Sequence, residues 1–253
     1  MHWCLGMYGS ASTWTYNLVQ KLAAALVPDR PVTPLFVADA LTGLDAAAGT
    51  VVVKTHAAPV AGELARRASA IIITIRDPRD AVVSLMAHNK APFELALRST
   101  EATAFLCGRF AADPRAVVLR FEDRFYDDPL TIEMVAATFH RKLSDQDRDR
   151  IFSETRREAI DAFIANLEAL PGTESNFDAL TGQQDTHDPV TGWHKHHAGR
   201  KAEIGRWQRE LTASQLAAIE QRLGSWMRRF GYQPITPRAP LYVLKIGRFE
   251  IVR

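Results

Sequence analysis

The sequence predicts an α/β fold: a single domain with a central parallel sheet flanked by helices, a small-residue loop after the first strand, and a helical C-terminal part. Three observations predict it. Apolar runs at 3–8, 50–54, 70–76 and 116–121 are continuous rather than alternating, which marks strands covered on both faces. Each is followed by a polar or helical stretch, the order that builds a parallel sheet. No Pro/Gly/Ser linker or charge block divides the 253 residues, so 1–253 reads as one domain, with 232–253 as its tail.

The first run passes straight into Gly9-Ser10-Ala11-Ser12-Thr13 and then into a segment with apolar residues at Trp14, Leu18, Leu22 and Leu26, giving strand, tight loop and amphipathic helix. The third run ends at Arg76, after which Asp77 is placed to cap a helix whose first residue is Pro78. No strand is predicted after residue 125. Residues 131–140 and 145–170 read as helices, the second ended by Pro171-Gly172. Residues 172–205 form a long polar stretch of the kind that is either a functional lid or disordered. Thr212 to Gln215 then makes a capping box for a helix with Leu216, Ile219, Leu223, Met227 and Phe230 on one face.

Composition narrows the function. Thirty-one Lys+Arg against 29 Asp+Glu leaves a formal charge of +2, so a general polyanion binder is not expected and no nucleic-acid partner is predicted. Arg outnumbers Lys 24 to 7, which fits the codon usage of a GC-rich genome. The only two cysteines, Cys4 and Cys107, form no ligand or framework pattern, and a reducing compartment fits. No apolar run reaches the roughly 18 residues of a membrane span, and no basic segment with an apolar stretch opens the chain. A cytoplasmic protein without a membrane partner is the expectation.

A loop of small residues between a buried strand and a helix N-terminus presents backbone N–H groups at the positive end of a helix dipole, a place for phosphate or sulfate. A plain strand-to-helix turn with a Ser/Thr cap accounts for the same residues. Read against G-x-x-x-x-G-K-[ST], Ala11 stands at the second glycine and Ser12 at the lysine, which disfavours a nucleotide kinase or triphosphatase. Lys54-Thr55-His56 follows the second predicted strand, where open α/β sheets place ligand contacts. Arg76 to Ser84 follows the third. Ser84 lies two turns into its helix, about 9 Å along at 1.5 Å per residue, so it and Arg76 grip one anion only if that anion lies alongside the helix. Arg200 to Trp207 closes the polar stretch.

Together these segments resemble the PAPS-dependent sulfotransferase family (PAPS is 3′-phosphoadenosine 5′-phosphosulfate). Ser10 to Trp14 is similar to the tail of that family's P-K-S-G-T-T-W loop, Lys54-Thr55-His56 to its K-T-H segment, Arg76 to Ser84 to R-N-P-K-D-x-x-x-S, Phe121-Glu122-Asp123 to Y-E-D, and Arg200 to Trp207 to R-K-G-x-x-G-D-W. The five occur in the family's order. The resemblance implies sulfuryl transfer from PAPS to a hydroxyl or amine of a small-molecule or carbohydrate acceptor, with PAP as product and no metal. It implies His56 as general base and Lys54 bridging leaving phosphate and sulfuryl group. Gly9, Ser10, Ala11, Ser12, Thr13, Trp14, Arg76, Ser84, Phe121, Arg200, Lys201 and Ala202 would contact the cofactor. Trp14 is placed either on the adenine or in the core, and Arg79 on a solvated helix face.

The departures are specific. Gly9 stands where the family's loop carries a lysine, which shifts the cationic burden to Lys54 and leaves a catalytically silent PAP-binding module as the alternative. Arg206 replaces an acid and Ala202 a glycine. Of the cytosolic members' dimer motif only Thr212 matches. His187, His194, His196 and His197 form a histidine cluster, but no carboxylate or cysteine completes a ligand set at a recognisable spacing, so acceptor contacts or a lid role are expected of them. Phe93, Phe105, Phe110 and Trp193 are candidates for an apolar pocket or for core.

Overall fold

The strands that the continuous apolar runs predict are present and pair as expected. In the computed structural model, which describes residues 1–37, 40–177, 184–197, 203–235, 243–246 and 249–252, β1 (His2–Gly6), β2 (Val32–Phe36), β3 (Thr50–Thr55), β4 (Ala70–Ile75) and β5 (Ala116–Arg120) form one sheet in the order β2-β3-β1-β4-β5, every pair parallel. Successive side chains enter opposite cores, which is why the runs are continuous. Trp3, Leu5, Ile71 and Ile73 pack on one face, where α2 (Ala58–Arg67), α3 (Pro78–His88), α4 (Phe93–Phe110) and α9 (Ala213–Arg229) contribute apolar residues. Cys4, Ile72 and Val52 pack on the other, with α1 (Ser12–Leu26), α5 (Pro129–Ala136), α6 (Asp145–Thr155) and α7 (Arg157–Ala165). The short α8 (Trp207–Glu210) lies between these segments and α9.

Two expectations on strands are corrected. The apolar runs do not announce β2, because Pro34 interrupts its sequence; it is an edge strand, where a proline's missing N–H removes no obligatory ladder bond. Strands also continue past residue 125. β6 (Glu174–Phe177) pairs antiparallel with β7 (Gln184–His187), and β8 (Val243–Ile246) with β9 (Phe249–Val252). The first of these pairs lies inside the polar stretch, where no apolar alternation announces it. Helix 145–170 is divided at Arg156 into α6 and α7, followed by one 3₁₀ turn at Leu167–Ala169. Two local readings hold: Thr212 and Gln215 form the capping box of α9, and the Asp77 side chain accepts from the Arg79 N–H at the start of α3.

The C-terminal part closes onto the start of α3. Within the stretch set off as a tail, Tyr232 is buried against Trp226 and its hydroxyl donates to Glu122 at 2.7 Å, while the other Glu122 oxygen accepts the Asp77 N–H at 2.9 Å. Arg79 is not solvated. Its side chain is 5% exposed and paired with Asp77 at 2.7 Å and Glu220 at 3.1 Å, with the guanidinium 4.0 Å over the Trp207 ring. Among the described residues no helix is long and apolar enough to cross a membrane.

Candidate active site

The strand order reverses at β1, so the ends of β1, β3 and β4 open together on one edge, the usual place for a ligand crevice in such sheets. There a cavity of about 1000 Å³ is lined by residues from the loop after β1, from Lys54 and His56, from Arg76 and Ser84 on either side of the start of α3, from Phe121, and from the 184–197 segment.

The loop after β1 is built to present its backbone. Gly9 (φ 70°) and Ala11 (φ 63°, ψ 30°) are left-handed, and Ala11 is the N-cap of α1 with no side-chain capping bond. The Ser/Thr-capped turn is therefore not what forms. Ser10 is buried and commits its hydroxyl to the Met7 carbonyl and Thr74 Oγ1, each at 2.7 Å. The first-turn amides from Ser12 onward have no intrahelical acceptor and face the cavity end of the helix dipole. Ala11 occupies a conformation that costs an L-residue about 1–2 kcal/mol. Ala11→Gly relieves it at about 0.5–1 kcal/mol of extra unfolded-state entropy, so a higher urea midpoint is expected; a lower one would show that the alanine methyl packs well enough to outweigh the strain.

Gly9 explains its own lack of a side chain. A Cβ there would stand 2.9 Å from Ser84 Oγ and 3.6 Å from Arg76 Nη1. The same distances place the Ser84 hydroxyl and the Arg76 guanidinium next to one another, beside Gly9 and alongside α3. Arg76 is fixed there by donating to the Gly9 carbonyl at 2.9 Å and the Glu203 carbonyl at 2.8 Å, with its guanidinium 4.1 Å over the Phe121 ring. Its Nε is buried and has no hydrogen-bond partner among the described residues.

Lys54, at the end of β3, is buried and donates to Thr13 Oγ1 at 2.6 Å. Burial lowers its pKa to about 8, the Cys4 thiol opposing, so it keeps its proton at neutral pH. His56 stacks on Tyr8 with ring centroids 4.5 Å apart, and its Nδ1 lies 2.7 Å from the Gly6 carbonyl. A carbonyl only accepts, so Nδ1 carries the hydrogen and Nε2 keeps the lone pair. Burial first, and the Lys54 charge second, push the imidazole pKa down to about 3, the Gly6 bond opposing. The ring is neutral at pH 7.

Trp14 lines the cavity but is nearly enclosed, its indole N–H bonded to the Thr155 carbonyl at 2.8 Å and its ring against Phe125. Arg200, Lys201 and Ala202 lie outside the described residues. The adjoining segment is held on α3 by Asp80, which accepts from the Gly205 N–H at 2.6 Å and the Trp207 N–H at 3.0 Å. Asp80 therefore does more than favour the helix dipole. Arg206, a departure from the family pattern, lines the cavity and pairs with Glu210 at 2.9 Å. Of the aromatic candidates, Trp193 lines the cavity, Phe110 is core and Phe105 is exposed. Tyr8, Phe36 and Phe177 line it although no motif points to them; Tyr8 adjoins Gly9, while the other two carry no local signal. No carboxylate stands at a recognisable sequence spacing from the histidines, but the antiparallel bridge His187–His194 brings one to them: Asp185 lies 2.6 Å from His194 Nδ1 and 2.7 Å from His196 Nδ1.

No protein-family model and no curated protein matches the sequence. Solved structures do. The mouse sulfotransferase SULT7A1 complexed with PAP is 12% identical over 90% of this chain and 84% of its own, with a TM-score of 0.59. Retinol dehydratase, solved with retinol and PAP, is 16% identical over 90% of this chain and 81% of its own, at TM-score 0.58. The same TM-score and identity hold against retinol dehydratase with androsterone and the inactive cofactor PAP, over 94% of this chain and 82% of that one. The α/β architecture assembled here, with its five-stranded parallel sheet and small-residue loop, is the sulfotransferase fold.

Proposed function

We propose that this chain transfers the sulfuryl group of PAPS to a hydroxyl or amine of a small-molecule or carbohydrate acceptor. The observation that carries the reading is convergence: an uncapped helix N-terminus, a buried lysine, a histidine of defined tautomer and an Arg–Ser pair meet in one cavity. In this reading the amides of Gly9 and of Ala11 to Thr13 hold the 5′-phosphosulfate, the Ser10 N–H being turned to the Met7 carbonyl at 3.3 Å. Lys54, already on Thr13, neutralises charge between leaving phosphate and transferred group, the burden that Gly9 cannot take. Arg76 and Ser84 hold the 3′-phosphate beside Gly9, with Arg200, Lys201 and Ala202 following in the segment before Glu203; charge-assisted contacts of this kind are the strong ones. His56 Nε2 takes the acceptor proton. The exposed aromatic rings of Phe36 and Phe177 at the cavity favour an acceptor with an apolar body.

Thermal unfolding with PAP and with ATP tests the cofactor. PAP is expected to raise Tm, since a ligand that binds only the folded state adds about 2.7 kcal/mol at a hundredfold excess over its Kd. ATP, without a 3′-phosphate, is expected to do less. A shift with ATP equal to that with PAP would overturn the roles of Arg76 and Ser84.

A further inference from the structure

We infer that Asp185, His194 and His196 form a binding site for one divalent cation of the zinc type in the wall of the main cavity. The three come from two stretches of the chain, β7 and the segment 194–196. Asp185 is on β7, whose register places Glu174 opposite His187. His194 returns beside His187 through an isolated antiparallel bridge, the two rings stacked at 5.1 Å. His196 sits in the 3₁₀ turn Lys195–His197. The result is one carboxylate oxygen and two imidazole nitrogens whose ligand atoms all lie within 4.8 Å of one another.

Donor chemistry and geometry both fit such an ion. Two imidazoles and a carboxylate suit zinc and its borderline neighbours, whereas magnesium and calcium take oxygen sets. At bonds of about 2.0–2.1 Å, tetrahedral ligands stand roughly 3.3 Å apart. Here both Nδ1 atoms approach the same oxygen, Asp185 Oδ2, at 2.6 and 2.7 Å, so each separation opens by less than 1 Å when a cation replaces the shared hydrogens. Each neutral ring gives up its Nδ1 hydrogen and takes one on Nε2 as the ion binds, so it coordinates as a neutral imidazole. The carboxylate faces inward, its side chain only 10% exposed. Neighbouring contacts order the segment that carries the histidines. His197 Nδ1 accepts the His194 backbone N–H at 3.2 Å, and His187 Nε2 lies 3.7 Å from Glu174.

Three protein ligands leave at least one coordination position, and all three residues line the cavity that also holds Lys54 and His56. The open position is therefore available to water or to an oxygen of a molecule in the cavity, and the bound ion ties β7 to the turn at 195–197. The inference does not depend on the sulfuryl-transfer reading, because the ion binds without cofactor.

The test uses the full chain, stripped with a chelator, desalted and dialysed against zinc alone, with bound metal measured by elemental analysis. One zinc per chain is expected, and Asp185→Asn and His196→Ala are each expected to weaken binding at least about tenfold. Cobalt in place of zinc is expected to give the visible absorption of a low-coordinate nitrogen–oxygen site, a readout on the unsubstituted protein that does not require the variants to fold. Absence of stoichiometric zinc on the unsubstituted chain overturns the inference. So does zinc retained undiminished by the folded Asp185→Asn/His196→Ala double variant, which would place the ion on other histidines.

Discussion

His56→Ala is expected to lose about 10²–10⁴ of the rate of single-turnover sulfuryl transfer at saturating PAPS, measured with a panel of phenols and alcohols, while keeping most of its affinity for PAP. The geometry prepares the ring for one role. With Nδ1–H on the Gly6 carbonyl, only Nε2 is left to accept, and the depressed pKa keeps that lone pair bare across the neutral range. As acceptor oxygen attacks sulfur its proton needs a base, and two carboxylates lining the cavity are committed: Asp185 to His194 and His196, and Asp161 to Arg157. Retained turnover would move the base to the histidines of the 187–197 segment. Turnover lost together with PAP binding would make His56 structural. PAP binding with no transfer by the unsubstituted chain would make the protein a silent cofactor-binding module.

Arg79→Ala is expected to lower the unfolding free energy by about 3–5 kcal/mol, the cost of leaving a buried charge without its partner. Arg79 serves two carboxylates, and the Glu220 side chain is 1% exposed, so water does not replace the guanidinium. It also donates to the Gln233 carbonyl at 3.2 Å, while Glu220 Oε1 accepts the Ile235 N–H at 2.9 Å. Urea titration of the unsubstituted and Arg79→Ala chains measures the difference. Arg79→Met/Glu220→Met is expected to recover part of the loss, because it removes one charge along with its partner. A loss below about 1 kcal/mol would class the pair with the solvent-screened ion pairs of the surface.

What is legible in the sequence is what local physics decides. Four strands of the five-stranded sheet announce themselves because both faces are covered, and the caps at Asp77 and Thr212 because a side chain bonds an amide two or three residues on. The small-residue loop can be located in the sequence but not distinguished there from a capped turn; only the left-handed Ala11 with no side-chain cap separates the two. Arg79 reads as solvated because its second partner lies 141 residues away and nothing local encodes it. Pro34 hides β2, and polar sequences whose pairing no periodicity marks hide β6 and β7. Asp185 shares that fate: it is an ordinary acid in a polar run until strand register sets it against two imidazoles.

The ties between the start of α3 and the C-terminal segments have a consequence for biosynthesis. Asp80 meets residues 125 and 127 positions downstream, and Arg79 meets residues 141 and 154 positions downstream. A ribosome adding about 5–20 residues per second makes α3 wait roughly 7–30 s for these partners. During that interval a cation and an anion meant for the interior remain hydrated at the edge of a half-built sheet. The nascent chain thus passes through a state in which β1, β3 and β4 are already made while the wall around Arg76 is open.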